Sequence, residues 1–510
     1  MKRFLWLGFV ALVYVICSGC GDTFRPIIIP NPPTFPSPRA AHSVVSINDN
    51  GTFVAGSAMV IDVSGGSDVS IHDADVHPVH AVQLTASSVL VVNQAATNLD
   101  QPALPLPLLT TTCNVTYPPT PPPPNPPPPN QQVYNVCPSI TKLNFNSTVI
   151  SSSNTISLPP YSGSNFVAGA PTDNFAYVTM PTYPPDPTQP TIISPSVGVI
   201  STLSNNLTTI IPVGKNPIAL AVTPDKSKLY VANNGDSTIS GFNTADRSAR
   251  VISPANTSLP PIWLVPRNDN QRVFVLEANA GGTSSGLASL DTTSTAGPDL
   301  LTEYPTISVP GATIMIYDSN LNRLYIPGGQ EVAIVDVSQS SPQYLAGGPI
   351  TIPTVSPDTR FSTDPCFSTS TQPVTVGAVA ALPDGSRAYV GGFYETAIGG
   401  TQYICPQVTV IDAKSNAIKT AIGLPGFPAY DTFCAPSATQ RSARFRIMMA
   451  AAGDSTAAYL SSCDGGNVNI IDTSNDTYSN SLLEPVGSRL PIPPSSINPP
   501  QNPVFLFAGP

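Results

Sequence analysis

Apolar residues in this chain gather in short runs separated by Pro, Gly, Asn, Asp and Ser, and no run keeps a helical period. Such runs, bounded by turn residues, predict short strands joined by tight turns. One unit is clearest. Pro217–Val222 reads as an inner strand, and Thr223-Pro224-Asp225-Lys226-Ser227 as a tight turn, because Pro presets φ and Asp bonds its own backbone. Lys228–Ala232 is then the second strand, Thr238–Phe242 the third and Ala249–Ile252 the fourth. Four antiparallel strands of this kind make one propeller blade.

The second strand of that unit is built on an aromatic residue, and its signature returns along the chain. It reads Leu229-Tyr230-Val231, Val273-Phe274-Val275, Leu324-Tyr325-Ile326, Ala388-Tyr389-Val390, Ala458-Tyr459-Leu460 and Val504-Phe505-Leu506, with weaker copies at Ala176-Tyr177-Val178 and Val89-Leu90-Val91. The central positions recur at 44 residues at the tightest, then 46, 51 and 53, with longer gaps where insertions fall. Strand repeats at about 40–50 residues mark a β-propeller. A second signature, an apolar residue followed by Asp or Asn, ends the third strand at Asp62, Asn243, Asp291, Asp336, Asp412 and Asp472. An Asp at a strand end caps the following turn, and this structural role is preferred over calcium binding or catalysis.

The two signatures fall out of step at the ends of the chain. Ser495–Ala508 is expected to give strands one and two of a blade, and Ser57–Val63 and Asp68–Ala74 strands three and four. The expected fold is therefore all-β: a propeller of four-stranded antiparallel blades, eight by repeat count with seven as the alternative, closed by a composite N- and C-terminal blade. Ser43–Asn48 finds no place in this scheme.

Pro217–Ile252, with Tyr230-Val231-Ala232-Asn233 on its second strand, resembles the YVTN family of β-propeller repeats, and Gly311–Ile352, Val376–Ile422 and Arg446–Asp476 look like divergent copies. The resemblance spans roughly residues 40 to 510. It implies a secreted or surface-attached propeller and no particular reaction, since that family has no common catalytic motif to carry over.

The first residues add an address. Lys2-Arg3, an apolar run from Phe4 to Ile16 and then Cys17-Ser18-Gly19-Cys20 make a secretory leader too short for a comfortable membrane span. Cys20 after Ser-Gly resembles the bacterial lipobox, which implies cleavage before Cys20 and lipid attachment to its sulfur. The organisation expected is a signal peptide at 1–19, a Pro-rich tether at 20–39, where dense Pro favours extended backbone, and one propeller domain at 40–510 with a Pro-rich insertion at 101–136. Six cysteines remain: Cys113, Cys137, Cys366, Cys405, Cys434 and Cys463. An even number in an exported chain points to disulfides, and of the 15 possible pairings the sequential one is favoured because each pair flanks a local excursion.

Charge and chemistry narrow the function. The net charge is −10, charged residues are 10% of the chain, and no basic run is present, which argues against nucleic-acid partners. Of four histidines, His72, His77 and His80 lie close together and are the weak candidates for a metal site, although His77 and His80 have opposite strand parity. No hydrolase elbow, phosphate-cradling loop, dinucleotide fingerprint or haem-attachment motif occurs, so no cofactor and no catalytic set is assigned. Trp263 on an inner strand either lines the channel or packs between blades, and Arg441, Arg444 and Arg446 form the densest positive cluster. The expectation is a monomeric, lipid-anchored scaffold that binds envelope protein or polysaccharide without catalysis. The alternatives are a lactonase-like hydrolase with a metal in the central channel and a structural surface-coat component.

Overall fold

The computed structural model describes residues 43–49, 56–62, 69–75, 77–85, 88–94, 138–146, 149–159, 162–170, 174–182, 194–357, 359–367, 372–429, 434, 445–483 and 502–508. These residues form eight sheets of four or five strands, antiparallel except for the short Ile252–Ser253 strand beside Asp299–Tyr304, and these are the blades of an eight-bladed propeller. The innermost strands are, from blade 1 to blade 8, Asn502–Ala508, Pro78–Thr85, Val167–Gly169, Pro217–Val222, Pro261–Pro266, Ile316–Asp318, Thr375–Ala381 and Ile447–Ala451.

Blade 1 is the composite one, and it divides its strands differently from the sequence expectation. The C-terminal segment supplies only the inner strand, while Ser43–Asp49, Ser57–Asp62 and Val69–Asp73 supply the second, third and fourth. Ser43–Asn48 is therefore the missing second strand, and Val504-Phe505-Leu506 is an inner strand rather than a copy of the second-strand signature. The misreading has a plain cause: a buried inner strand and a buried second strand are both short apolar runs, and periodicity does not separate them. The closing strand lies against the inner strands of blades 8 and 2. At its start, Asn502 donates from Nδ2 to the Cys463 carbonyl at 2.8 Å, and Val504 packs with Cys434 and Cys463.

Side chains of the aromatic second-strand signature are buried between neighbouring sheets, with Tyr230, Phe274, Tyr325 and Tyr389 fully enclosed. Two of these tyrosines also join blades through charge. Asp299 on the fourth strand of blade 5 accepts from Tyr230 Oη (2.8 Å), Arg250 Nε (2.6 Å) and Lys228 Nζ (3.3 Å), all from blade 4. Asp476 of blade 8 repeats this, accepting from Tyr389 Oη (2.6 Å), Arg387 (2.7 Å) and Lys419 Nζ (2.6 Å) of blade 7. Between blades 6 and 7 the equivalent residue is the amide Asn416, held by Arg323 at 2.9 Å, and the buried Tyr325 hydroxyl lies beside Arg323 with no carboxylate to accept from it.

The Asp residues that end third strands behave as turn caps. Asp291, Asp336, Asp412 and Asp472 accept from the backbone amides of Thr293, Ser338, Ser415 and Ser474 at 2.7–2.9 Å. Asn243 instead bonds Ser248 and Arg250. The Asp62 side chain lies outside the described residues.

The two ends of the propeller differ. On one face, the turn face, strand one meets strand two and strand three meets strand four through connections of seven residues or fewer. The opposite face, the loop face, carries every long excursion: Asn93 to Ser139, Met180 to Ser196, Tyr304 to Ile316, Thr351 to Thr375, Gly423 to Ile447 and Leu483 to Asn502. A hairpin of two 12-residue strands, Arg387–Ile398 and Thr401–Asp412, also rises there. Its tip is Gly399-Gly400, both at positive φ, as a two-residue hairpin turn requires. Both chain ends enter the ring on the turn face, where Val44 pairs with Ala508.

Disulfides Cys366–Cys405 and Cys434–Cys463 sit at the loop face, each closing a local excursion in the sequential pattern. Cys113 and Cys137 lie outside the described residues. Buried disulfides indicate folding in an oxidising, exported environment. Replacing either described pair by serines should cost about 2–4 kcal/mol of unfolding free energy, read as a lower denaturant midpoint, and thiol titration of the native protein should find none of these four reactive.

Candidate functional site

The axis of the ring is the first place to look for chemistry. Rings from five of the blades meet across it. His80 of blade 2 stacks on Phe166, just before the inner strand of blade 3, with centroids 3.9 Å apart, and meets Phe505 of blade 1 at 4.5 Å. Trp263 of blade 5 makes edge contacts with Phe166 (5.3 Å) and with Phe445, just before the inner strand of blade 8 (6.1 Å), and Phe445 reaches back to Phe505 (6.1 Å). Trp263 thus faces the centre and also packs on three of the inter-blade cores. Offset and edge-to-face pairs of this kind add to the burial of each ring.

The inner strands hold only two side chains of the metal-ligating acid or imidazole type, His80 and Asp318. Burial pushes the His80 imidazole down to about 3, so it stays neutral, and its Nδ1 accepts from the Val167 amide at 3.4 Å. The Asp318 carboxylate caps the Asn320 amide at 2.9 Å. This set does not fit a channel-bound divalent ion. The glutamates are elsewhere: Glu277 is the last but one residue of a second strand, Glu303 lies on a fourth, Glu331 starts a third and Glu395 is in the tall hairpin, with Glu484 outside the described residues.

The three histidines grouped by sequence diverge in space. His77 pairs through Nδ1 with Asp49 of blade 1 at 3.0 Å, both buried. His72 bonds the Asp73 carbonyl at 2.8 Å, and His80 joins the axial rings. Among the described residues no group of three or more His, Cys, Asp and Glu comes within reach of one metal ion. Nor does Arg446 present an exposed charge: it is buried, binds Asp464 at 2.7 Å and Glu395 at 3.3 Å, and lies 5.3 Å from the Phe393 ring. Arg441 and Arg444 lie outside the described residues.

A site that the sequence reading passed over emerges at the loop face. Three blades carry Asn at or next to the end of the second strand, opposite a hydroxyl residue that begins the third. Asn48 faces Ser57, Asn93 faces Ser139 and Asn233 faces Thr238. Each amide donates to those hydroxyls: Asn48 to Ser57 at 3.2 Å, Asn93 to Ser139 and Thr141 at 3.1 and 2.9 Å, Asn233 to Thr238 and Ser240 at 3.0 and 2.9 Å. In blade 5 the same position is Glu277 and its opposite number is Gly286, which offers no hydroxyl.

Glu277 is 2% exposed. Its Oε2 accepts from the Leu259 amide at 3.3 Å, and its Oε1 has no hydrogen-bond partner. Register puts Glu303 on the same side of the sheet, because Glu277 faces Gly286 and Glu303 faces Ala288, two residues on. Burial, then the neighbouring Glu303, push the Glu277 carboxyl up to about 8, which keeps it protonated at neutral pH. Glu303 is half-buried, accepts from the Ser258 amide at 2.6 Å and takes the Ser258 hydroxyl proton on its other oxygen. Ser258 belongs to the connection between blades 4 and 5.

No protein-family model matches the chain, and no curated protein matches it. Among solved structures, apo AztD from Citrobacter koseri is similar over 91% of this chain and 97% of its own at 11% identity, with a TM-score of 0.49. Hydrazine synthase from Kuenenia stuttgartiensis aligns over 78% and 96% at 13% identity (TM-score 0.44). A candidate 6-phosphogluconolactonase from Bacteroides uniformis aligns over 75% and 97% at 9% identity (TM-score 0.43). Resemblance at this level assigns no activity to the chain.

Proposed function

We propose that this chain is an exported propeller of the YVTN-repeat kind, lipid-anchored through Cys20, that uses its loop face to bind an envelope protein or polysaccharide. The observation that supports this reading most is the uneven distribution of connections. A scaffold that keeps one face to turns of seven residues or fewer and places every long excursion on the other concentrates its variable surface there. The tall hairpin and both disulfides strengthen the same face. The rings that meet across the axis favour binding over chemistry in a central channel.

The test joins Gln94 to Pro138 through a short Asn-Gly turn, removing the insertion, and compares co-sedimentation of both proteins with isolated cell envelopes. The intact protein should sediment with them, and the shortened one should keep its melting temperature while losing binding by at least about tenfold, or about 1.4 kcal/mol. Equal binding by both would reject the loop face as the contact. Ordered self-assembly without envelope would favour the surface-coat alternative, and hydrolysis of a sugar lactone would favour the enzyme.

A further inference from the structure

We propose that His77 and Asp49 form a pH-sensitive clasp at the loop face, which ties the closing blade to blade 2 at mildly acidic pH and loosens as the imidazole gives up its proton. The repeat itself provides the comparison. At three joints the start of an inner strand touches the end of the preceding blade's second strand. From blade 8 to blade 1, Asn502 Nδ2 donates to the Cys463 carbonyl at 2.8 Å. From blade 4 to blade 5, Asn234 Nδ2 donates to the Pro261 carbonyl at 3.4 Å. Neither contact carries a titratable group. From blade 1 to blade 2 the same place holds an imidazole and a carboxylate, His77 Nδ1 and Asp49 Oδ2, 3.0 Å apart with side chains 2% and 0% exposed. The backbone does not require histidine there. His77 is in the left-handed region (φ 54°), and Asn216 takes the same conformation (φ 49°) before the inner strand of blade 4. Asparagine thus meets the local geometry, and what histidine adds is the charge.

Position makes the pair more than a local contact. Asp49 ends the second strand of the composite blade, directly across from Asn502 of the closing strand. A line of contacts therefore runs from Cys463 of blade 8 through Asn502 and Asp49 to His77 of blade 2. The His77 carbonyl in turn accepts from the Gln94 amide at 2.8 Å, where the chain leaves blade 2 on its longest excursion. The ionisable groups around the pair are acids and imidazoles. Asp75, on the connection that carries His77, is buried and accepts from Ser139 Oγ at 2.9 Å, and His72 and Asp73 end the fourth strand of blade 1. The chain has no Lys or Arg from residue 40 to residue 141. Lys142 of blade 2 is turned to the Thr202 carbonyl of blade 3 at 2.7 Å, and Arg446 of blade 8 binds Asp464 and Glu395. Protonated His77 therefore supplies the positive charge opposite Asp49. An imidazole changes charge between about pH 5 and 8, and a buried carboxylate is destabilised when its counter-charge goes. The sign follows: the clasp is strong on the acid side of that interval, while Asp49 stays ionised, and weakens as pH rises through it.

The experiment is urea unfolding of the protein and of His77→Asn at pH 5.5 and pH 8, with amide exchange of Asn502–Ala508 as the local reading. The parent should exceed the variant in urea midpoint at pH 5.5, and that gap should shrink by at least about half at pH 8, with slopes unchanged. Protection of the closing strand, corrected for the intrinsic pH dependence of exchange, should fall by about tenfold in the parent from pH 5.5 to pH 8 and stay level in His77→Asn. A purely structural contact would give the same gap at both pH values, and that result overturns the proposal. Should His77→Asn fail to fold, Asp49→Asn removes the other partner and should show the same narrowing gap. His72→Asn should leave the pH response of the parent intact. A response that disappears with His72 instead overturns the assignment to His77.

Discussion

Deleting residues 501–510 should open the ring. The closing strand buries Val504, Phe505 and Leu506 almost completely. At about 1.5–3 kcal/mol for each fully buried side chain, that strand carries roughly 5–9 kcal/mol of apolar burial, an upper figure because unfolded chains already hide some surface. A domain stability of about 5–15 kcal/mol does not absorb such a loss comfortably. The deletion also removes the inner edge of blade 1, leaving Ser43–Asp49 with an unpaired row of backbone groups facing the axis. The expected result is a protein that binds a hydrophobic dye, associates in size-exclusion chromatography and has lost its sharp thermal transition. A truncated chain that stays monomeric and melts with the parent would show that the ring closes without its last strand.

Asp299→Ala should be the most damaging single substitution at a blade interface. Asp299 is 0% exposed and is the common acceptor for Lys228, Arg250 and Tyr230. Removing it strands two cations between blades, and breaking a buried pair in this way costs about 3–5 kcal/mol. Tyr230→Phe deletes only the hydroxyl bond to the same carboxylate and should cost about 1.5–3 kcal/mol. The comparison that isolates the mechanism is Tyr325→Phe. Its hydroxyl occupies the equivalent place between blades 6 and 7, beside Arg323 but with no carboxylate to accept from it, so its loss should cost less than that of the Tyr230 hydroxyl. Urea unfolding with an unchanged slope would rank the three variants in that order. A Tyr325→Phe penalty equal to that of Tyr230→Phe would mean that the ring edges, not the hydroxyl networks, hold these blades together.

The architecture was legible in the sequence because the repeat unit is carried by local chemistry. Tyr230, Phe274, Tyr325, Tyr389 and Tyr459 mark second strands, and the Asp residues that end third strands mark their turns, so the propeller and a count of eight, with seven as the alternative, could be read without any long-range information. The composite blade was legible in outline but not in its division, because Phe505 looks like the other aromatics while its strand is an inner one. Cysteine pairing was legible for Cys366–Cys405 and Cys434–Cys463, where each cysteine sits beside a strand whose place the repeat already determined. The histidines, weak candidates already because His77 and His80 have opposite parity, part in space because closeness along the chain is not closeness in a blade: a strand change separates His72 from His77, and side-chain alternation turns His80 inward. Glu277 was passed over for the opposite reason. It becomes conspicuous only when Phe274-Val275-Leu276-Glu277 is laid on Tyr230-Val231-Ala232-Asn233 and Leu90-Val91-Val92-Asn93, which requires the blade register rather than a motif.

The pairing of Val44 with Ala508 fixes where the polypeptide arrives at the ring and where it leaves. Those two ends lie side by side, so whatever is attached at either is displayed on the turn face, across the ring from the hairpin and the disulfides. A reporter attached beyond the closing strand would accordingly leave the loop face unobstructed.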